Sequence, residues 1–140
     1  MSKSFICFES GGSLFLISLE WIWHILKGPS EGQEAVEYEG VRVPAREFCS
    51  LWKSETEGSG QYAVLLRQGE RRGGFLASRI EGVYSLGEEA FQAIPREAMS
   101  PENAFLKAAA WPDGLGRLAF LVDAEEISGR FLASADGEET

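Results

Sequence analysis

The sequence is poor in the residues that carry chemistry. Its 140 residues include one histidine, two cysteines, and 13 lysines and arginines against 22 aspartates and glutamates. A zinc site takes three or four His, Cys or carboxylate ligands at workable spacing. His24 stands between Trp23 and Ile25 with no second His, Cys or Asp beside it, so it has neither co-ligands nor an acid–base partner in the local sequence. Cys7 and Cys49 lie in apolar runs, Phe5-Ile6-Cys7-Phe8 and Phe48-Cys49-Ser50-Leu51-Trp52, without Cys-x-x-Cys spacing. Two buried thiols in a reducing compartment is the simpler reading, and a disulfide between them stays open. The formal net charge is −9, and the basic residues are scattered apart from Arg71-Arg72 between glycines. A phosphate-tracking surface needs clustered cations, so nucleic acid and anionic membranes are not expected partners. Leu14 to Leu26 is apolar but holds Glu20 and His24, and it falls short of the roughly 20 residues that cross a bilayer. No signal-peptide pattern opens the chain. A cytoplasmic protein with no membrane insertion is expected.

The usual catalytic signatures are missing as well. There is no Gly-x-Ser-x-Gly elbow. Gly69 to Gly74 lacks the lysine and hydroxyl of a P-loop. Glu88-Glu89 and Glu125-Glu126 are adjacent in sequence, whereas paired catalytic carboxylates come from separate elements facing a cleft. No catalytic, cofactor-binding or metal residue can be named, and the expectation is a non-enzyme without cofactor.

What the sequence does contain is short strands divided by turn signals. Phe5–Phe8 and Leu14–Ile17 flank Gly11-Gly12 as a hairpin. Leu19–Leu26 alternates with period two and is apolar on both faces, which predicts a strand buried on both sides, a helix being the alternative. Trp21 and Trp23 would share one face of it, as core or as a binding platform. Val36–Tyr38 and Val41–Pro44 join at Gly40, with Pro44 placed at a strand end or edge. Arg46–Trp52 has helical spacing, and Lys53–Gly60 is a polar connection. Tyr62–Leu66 and Phe75–Val83 are strands joined by a long turn over Gln68–Gly74, with a bulge or bend at Gly82. Glu88–Ile94 is ambiguous. Phe105–Trp111 and Arg117–Val122 flank Pro112-Asp113-Gly114-Leu115-Gly116. Asp123 is placed to cap a short helix through Ile127, and residues 128–140 read as a loose acidic tail. This pattern predicts an all-β barrel or sandwich protein with one or two short helices.

The order of these segments resembles the CheW family of bacterial chemotaxis adaptors. Gly74-Phe75-Leu76-Ala77-Ser78-Arg79-Ile80-Glu81-Gly82-Val83 is similar to the family's "vGl-vD-V-gV" strand. Leu118 to Ile127 is similar to its closing "l-iLLd-ekll", and Phe5–Phe8 with Phe15–Ile17 and Ile22–Leu26 to its opening segments. Val41–Phe48 is similar to "g-viPviDlr". The resemblance runs from about Ser4 to Ile127. It implies one domain over residues 1–127 made of two SH3-like five-stranded β-barrel subdomains. Subdomain one would span roughly 10–60; subdomain two would span 61–127 plus the N-terminal strand.

The resemblance further implies a non-enzymatic signalling adaptor that bridges a CheA-type histidine kinase and chemoreceptors. It places partner-binding residues at Ile22, His24, Glu39, Val43 and Arg46. The chain departs from the family where Gly-Val-x-Asn-Leu-Arg-Gly is replaced by Ala35-Val36-Glu37-Tyr38-Glu39-Gly40, so Glu39 reverses the charge of the receptor-contacting arginine. Ala45-Arg46 likewise stands where the family carries an aspartate. The alternatives are a diverged module that binds another regulatory or motility protein, and, from a different class, a small β-barrel ligand-binding protein or enzyme.

Overall fold

The computed structural model describes residues 2–28, 35–48, 61–95, 97, 105–112 and 114–133. Twelve strands and one α-helix fall within them. They are β1 (Ser2–Ser10), β2 (Ser13–Ser18), β3 (Ile22–Lys27), β4 (Ala35–Tyr38), β5 (Val41–Glu47), β6 (Tyr62–Gln68), β7 (Arg71–Ala77), β8 (Arg79–Gly87), β9 (Phe91–Gln92), β10 (Leu106–Ala110), β11 (Ala119–Val122), α1 (Ala124–Phe131) and β12 (Leu132–Ala133). The strands form two curled sheets. The first has the order β8-β1-β2-β11-β10-β9, and the second β3-β6-β7-β5-β4, with β12 added to β7. Each thus has the five strands expected and one two-residue strand more.

Alternation along each strand explains why the apolar runs are nearly continuous. On β1 and β2, Ile6, Phe8, Phe15 and Ile17 point into a core between the sheets, while Phe5, Cys7, Leu14 and Leu16 point into the first sheet's own curl. On β6, Val64 and Leu66 face the shared core, and Ala63 and Leu65 face the interior of the second sheet with Val36, Val43, Ala45 and Leu76. Successive side chains on a strand face opposite ways, so a strand between two cores must be apolar throughout. The shared core is rich in aromatic rings. Phe8, Phe15, Phe48, Phe75, Phe105 and Phe131, six of the nine phenylalanines, join it. Ring centroids lie 4.8 Å apart for Phe8–Phe75 and Phe48–Phe75, and 4.9 Å apart for Phe8–Phe48, within the range of favourable aromatic pairs.

Several expectations are corrected. Leu19–Trp21 is a 3-10 turn and the strand starts at Ile22, so Trp21 and Trp23 do not share a strand face. β3 is not buried on both sides: it ends the sheet's hydrogen-bonded order, and His24 and Lys27 are exposed. Pro44 lies inside β5, at the point where the strand's pairing passes from β4 to β7. Arg46 and Glu47 continue β5 beside Phe75 and Leu76, because parallel pairing to β7 overrides their helical spacing. The β6–β7 turn is short, and Arg71 to Gly74 already belong to β7. The strand after Phe75 breaks at Ser78, whereas the bulge expected at Gly82 is present as a register shift between Cys7, opposite Gly82, and Phe8, opposite Ile80. β6 and β7, placed with the later half of the chain by the sequence, belong to the sheet of β3, β4 and β5.

The C-terminal region is also more ordered than a loose tail from residue 128. The Asp123 carboxylate accepts from the Glu125 and Glu126 N–H groups at 3.0 and 3.3 Å, and α1 continues to Phe131. Ser128, Phe131 and Leu132 are buried, and β12 pairs with Gly73 and Arg72 of β7. The expected connection Lys53–Gly60, the C-terminal part of the expected helix with Cys49, and residues 134–140 lie outside the described residues.

Candidate partner-binding surfaces

The structure separates the five residues singled out from sequence. Val43 has no exposed surface and packs against Val36, Ala45, Ala63, Leu65 and Leu76, so it belongs to the core and cannot touch a partner. Val43 and Ala45, two apart on β5, share the strand face that lies in the second sheet's interior. Arg46 is exposed, and its guanidinium works within the fold: Nη2 donates to the Arg130 carbonyl at 2.7 Å and the group lies 5.0 Å from the Phe131 ring centre. Ile22 is half-buried against the shared core. His24 and Glu39 are exposed.

His24 belongs to an aromatic cluster that local sequence does not reveal. The second sheet curls until its terminal strands β3 and β4 meet. Tyr38 of β4 then stacks on His24 at 4.4 Å and 15°, and meets Trp23 edge-on at 5.0 Å. A register shift between Ile22 and His24 in the pairing of β3 with β6 accompanies this contact of two successive residues with one ring. Directly after Tyr38, Glu39 and Gly40 form the two-residue turn into β5, with φ of 54° and 80°. Two positive φ values match the twist of a hairpin turn, which glycine takes freely and glutamate only with strain.

A second surface lies at the other sheet's open end. Leu86 of β8, Ala90, Gln92 of β9, Ala110 of β10, Pro112 and Leu118 line a groove of about 440 Å³. Trp111 forms part of its wall and is 64% exposed; Leu118 is 43% exposed. β8 and β9 end this sheet's order, so the groove lies between strands that do not pair with each other. An indole this exposed beside an apolar groove is unusual for a side chain whose burial normally stabilises a fold, and tryptophan anchors are enriched at protein interfaces. Trp111 was not singled out from the sequence, where it reads only as the end of an apolar strand.

Among the described residues, the two groups with shifted protonation, Cys7 and Arg79, lie outside both surfaces. Burial, reinforced by Glu81 and opposed by Arg117, pushes the Cys7 thiol up from 9.0 to about 11. Arg79 on β8 donates to the Glu81 carboxylate at 2.7 Å and lies 3.6 Å from that of Glu9, and this hydrogen bond holds its proton more firmly. Among the described residues no group of three or more His, Cys, Asp or Glu side chains is placed to hold a metal ion, and no helix is long and apolar enough to cross a membrane.

The chain matches no protein-family model and no curated protein. Among solved structures it is similar to the scaffolding protein TtCheW from Thermoanaerobacter tengcongensis, with a TM-score of 0.66 over 87% of this chain and 89% of that one. The two sequences are 12% identical, so the likeness concerns architecture. In architecture the chain has the CheW-like fold, all-β with two subdomains, each built on one curled sheet.

Proposed function

We propose that this chain is a non-enzymatic adaptor of the CheW-like kind, which acts in the cytoplasm by binding proteins. The partners would be a CheA-type histidine kinase, a chemoreceptor signalling tip, or both, in chemotaxis or a related signalling pathway. The observation that carries the reading is the exposed Trp111 beside the apolar groove of Leu86, Ala90, Pro112 and Leu118. The fold shared with a scaffolding protein supports it. Burying a mostly exposed indole in a partner would supply an interface anchor at little expense to folding.

The test is titration of a CheA-type regulatory fragment and a receptor signalling fragment from the source organism into the purified protein. Trp111→Ala should weaken binding of the partner seated on the groove by at least about tenfold with the folded state intact. If the unmodified protein binds neither fragment, the adaptor reading fails in this form. A second reading has its own observation. Glu39 stands where the resemblance places an arginine, and it is exposed on a turn, so an acceptor replaces a forked donor. The chain would then have lost receptor coupling and would serve another regulatory or motility protein. Under that reading, Glu39→Arg restores part of the receptor binding, whereas native-level receptor binding without the change argues for the first.

A further inference from the structure

The tip of the β6–β7 hairpin is cationic in a strongly acidic protein. Residues 67–72 read Arg-Gln-Gly-Glu-Arg-Arg, three positive charges against one negative, on a chain of net charge −9. Among the described residues no carboxylate lies within ion-pair distance of Arg67, Arg71 or Arg72. Arg67 and Arg72 are directly opposite each other in the β6–β7 register. Like charges in that position oppose a strand pair.

Both guanidinium groups are nevertheless held in place. Their central carbons lie 5.3 and 5.2 Å from the centre of the Trp23 ring. Arg72 also donates to the Gly69 carbonyl at 3.1 Å. Trp23 leads in turn to Tyr38 and the exposed His24, so an aromatic surface borders the cations. Stacking on an indole fixes a guanidinium while leaving its N–H edges free to donate, and a fork held this way suits a carboxylate.

The geometry points to Trp23, Arg67 and Arg72 as a docking site for an acidic segment of a partner protein, a short run of Asp or Glu next to an apolar side chain. Charge complementarity selects this occupant: two adjacent, ordered guanidiniums without counter-charge among the described residues match two carboxylates, and the neighbouring rings match an apolar residue. The inference rests on the adaptor reading only in taking the occupant to be a protein. It involves neither Trp111 nor Glu39, so the two sets of variants fail separately.

The probe is a fluorescein-labelled oligoglutamate with a central leucine, followed by anisotropy with the full-length protein. Its glutamine counterpart, inorganic phosphate and a single-stranded oligonucleotide serve as competitors. The expected result is saturable binding that weakens with salt, as exposed charge pairs do. The glutamine peptide should bind at least about tenfold more weakly, consistent with loss of charge-assisted hydrogen bonds. Arg67→Gln and Arg72→Gln should each lower affinity several-fold, and the Lys substitutions should retain part of it. Equal binding of the glutamine peptide, or unchanged binding by the folded double variant, overturns the proposal and leaves the arginines as packing for Trp23. Displacement by phosphate as effective as by peptide, or tighter binding of the oligonucleotide, overturns it in favour of another anion. If the double variant does not fold, salt dependence and peptide composition with the unmodified protein still decide.

Discussion

Gly73→Ala should detach the C-terminal strand from the second sheet. Gly73 pairs with Leu66 on one side and Leu132 on the other. A Cβ placed on it would lie 1.8 Å from the Phe131 carbonyl oxygen, 2.7 Å from its carbon and 2.8 Å from the Leu132 Cα. All three are backbone atoms, so no rotamer change relieves the clash. Reaching ordinary contact at 3.4 Å moves the carbonyl by 3.4 − 1.8 = 1.6 Å, which separates β12 from β7. Phe131 and Leu132 are 5% and 8% exposed, and the Phe131 ring packs on Phe48 at 6.0 Å and Phe75 at 5.6 Å. Full release would forfeit about 1.5–3 kcal/mol for each side chain, so about 3–6 kcal/mol bounds the effect from above. A partial shift that keeps Phe131 in place should still cost about 2 kcal/mol, a fall in melting midpoint on the order of 5–10 °C for a domain of this size. Urea denaturation followed by circular dichroism measures this. Gly129→Ala is the control, since a Cβ there meets nothing within 4 Å and it lies in α1. It should gain about 0.5–1 kcal/mol. Gly73→Ala within about 0.5 kcal/mol of the parent would refute the reasoning, because a surface-like effect of that size excludes a backbone clash.

Three further outcomes follow from the same geometry. Val43→Ala should destabilise by about 2 kcal/mol in denaturation, and partner affinity measured well below its melting midpoint should not change. Glu39→Gly should raise stability by about 1 kcal/mol in the same assay by removing a left-handed glutamate. Cys7 should resist iodoacetamide in the native state through pH 9, read by mass spectrometry of the Cys7 peptide, and react freely in denaturant. Its folded pKa is raised, so the stability it contributes is complete below pH 9.0 and is lost as pH rises towards about 11; a native protein whose stability is flat across that window contradicts the assignment.

Most strands are legible from alternation or a turn dipeptide, although the alternating run Leu19–Leu26 opens with a 3-10 turn. Gly11-Gly12 between Phe5–Phe8 and Leu14–Ile17 located the first hairpin, and Asp123 located the start of α1. Failures arose where a non-local partner decided the outcome. Arg46 and Glu47 have helical spacing but pair with β7, which is more than two dozen residues further along the chain. Ser128 and Gly129 look like a helix stop, yet Ile127 and Phe131, four residues apart, both face the shared core and carry the helix past them. The same limit applies to the surfaces. Val41 and Val43 lie on one face of β5, and sequence alone does not say how far along it enclosure reaches: Val43 packs against β6 and β7 residues, while Val41, next to the hairpin turn, is left 41% exposed. The stacking of Tyr38 on His24 requires a curl that brings the two end strands of a sheet together.

Burial then distinguishes side chains that folding explains from those it does not. Phe8, Phe48, Phe75 and Val43 are fully enclosed, and removal of any would leave a cavity. Arg46 reaches solvent, but its contacts with Arg130 and Phe131 tie β5 to α1, so its exposure carries no implication of a partner. Trp111 is different: a large apolar group left mostly in water gains little from folding. Arg67 and Arg72 go further, since their direct opposition works against the strand pair that holds them. Glu39 also opposes the fold through its backbone, in a turn where glycine would be unstrained. Residues that fail to help the fold, or oppose it, are where a second requirement on the sequence becomes visible. Here they are an exposed indole, a pair of ordered cations and a strained surface carboxylate. Those are means of contact with another molecule's surface, in line with the adaptor role proposed above.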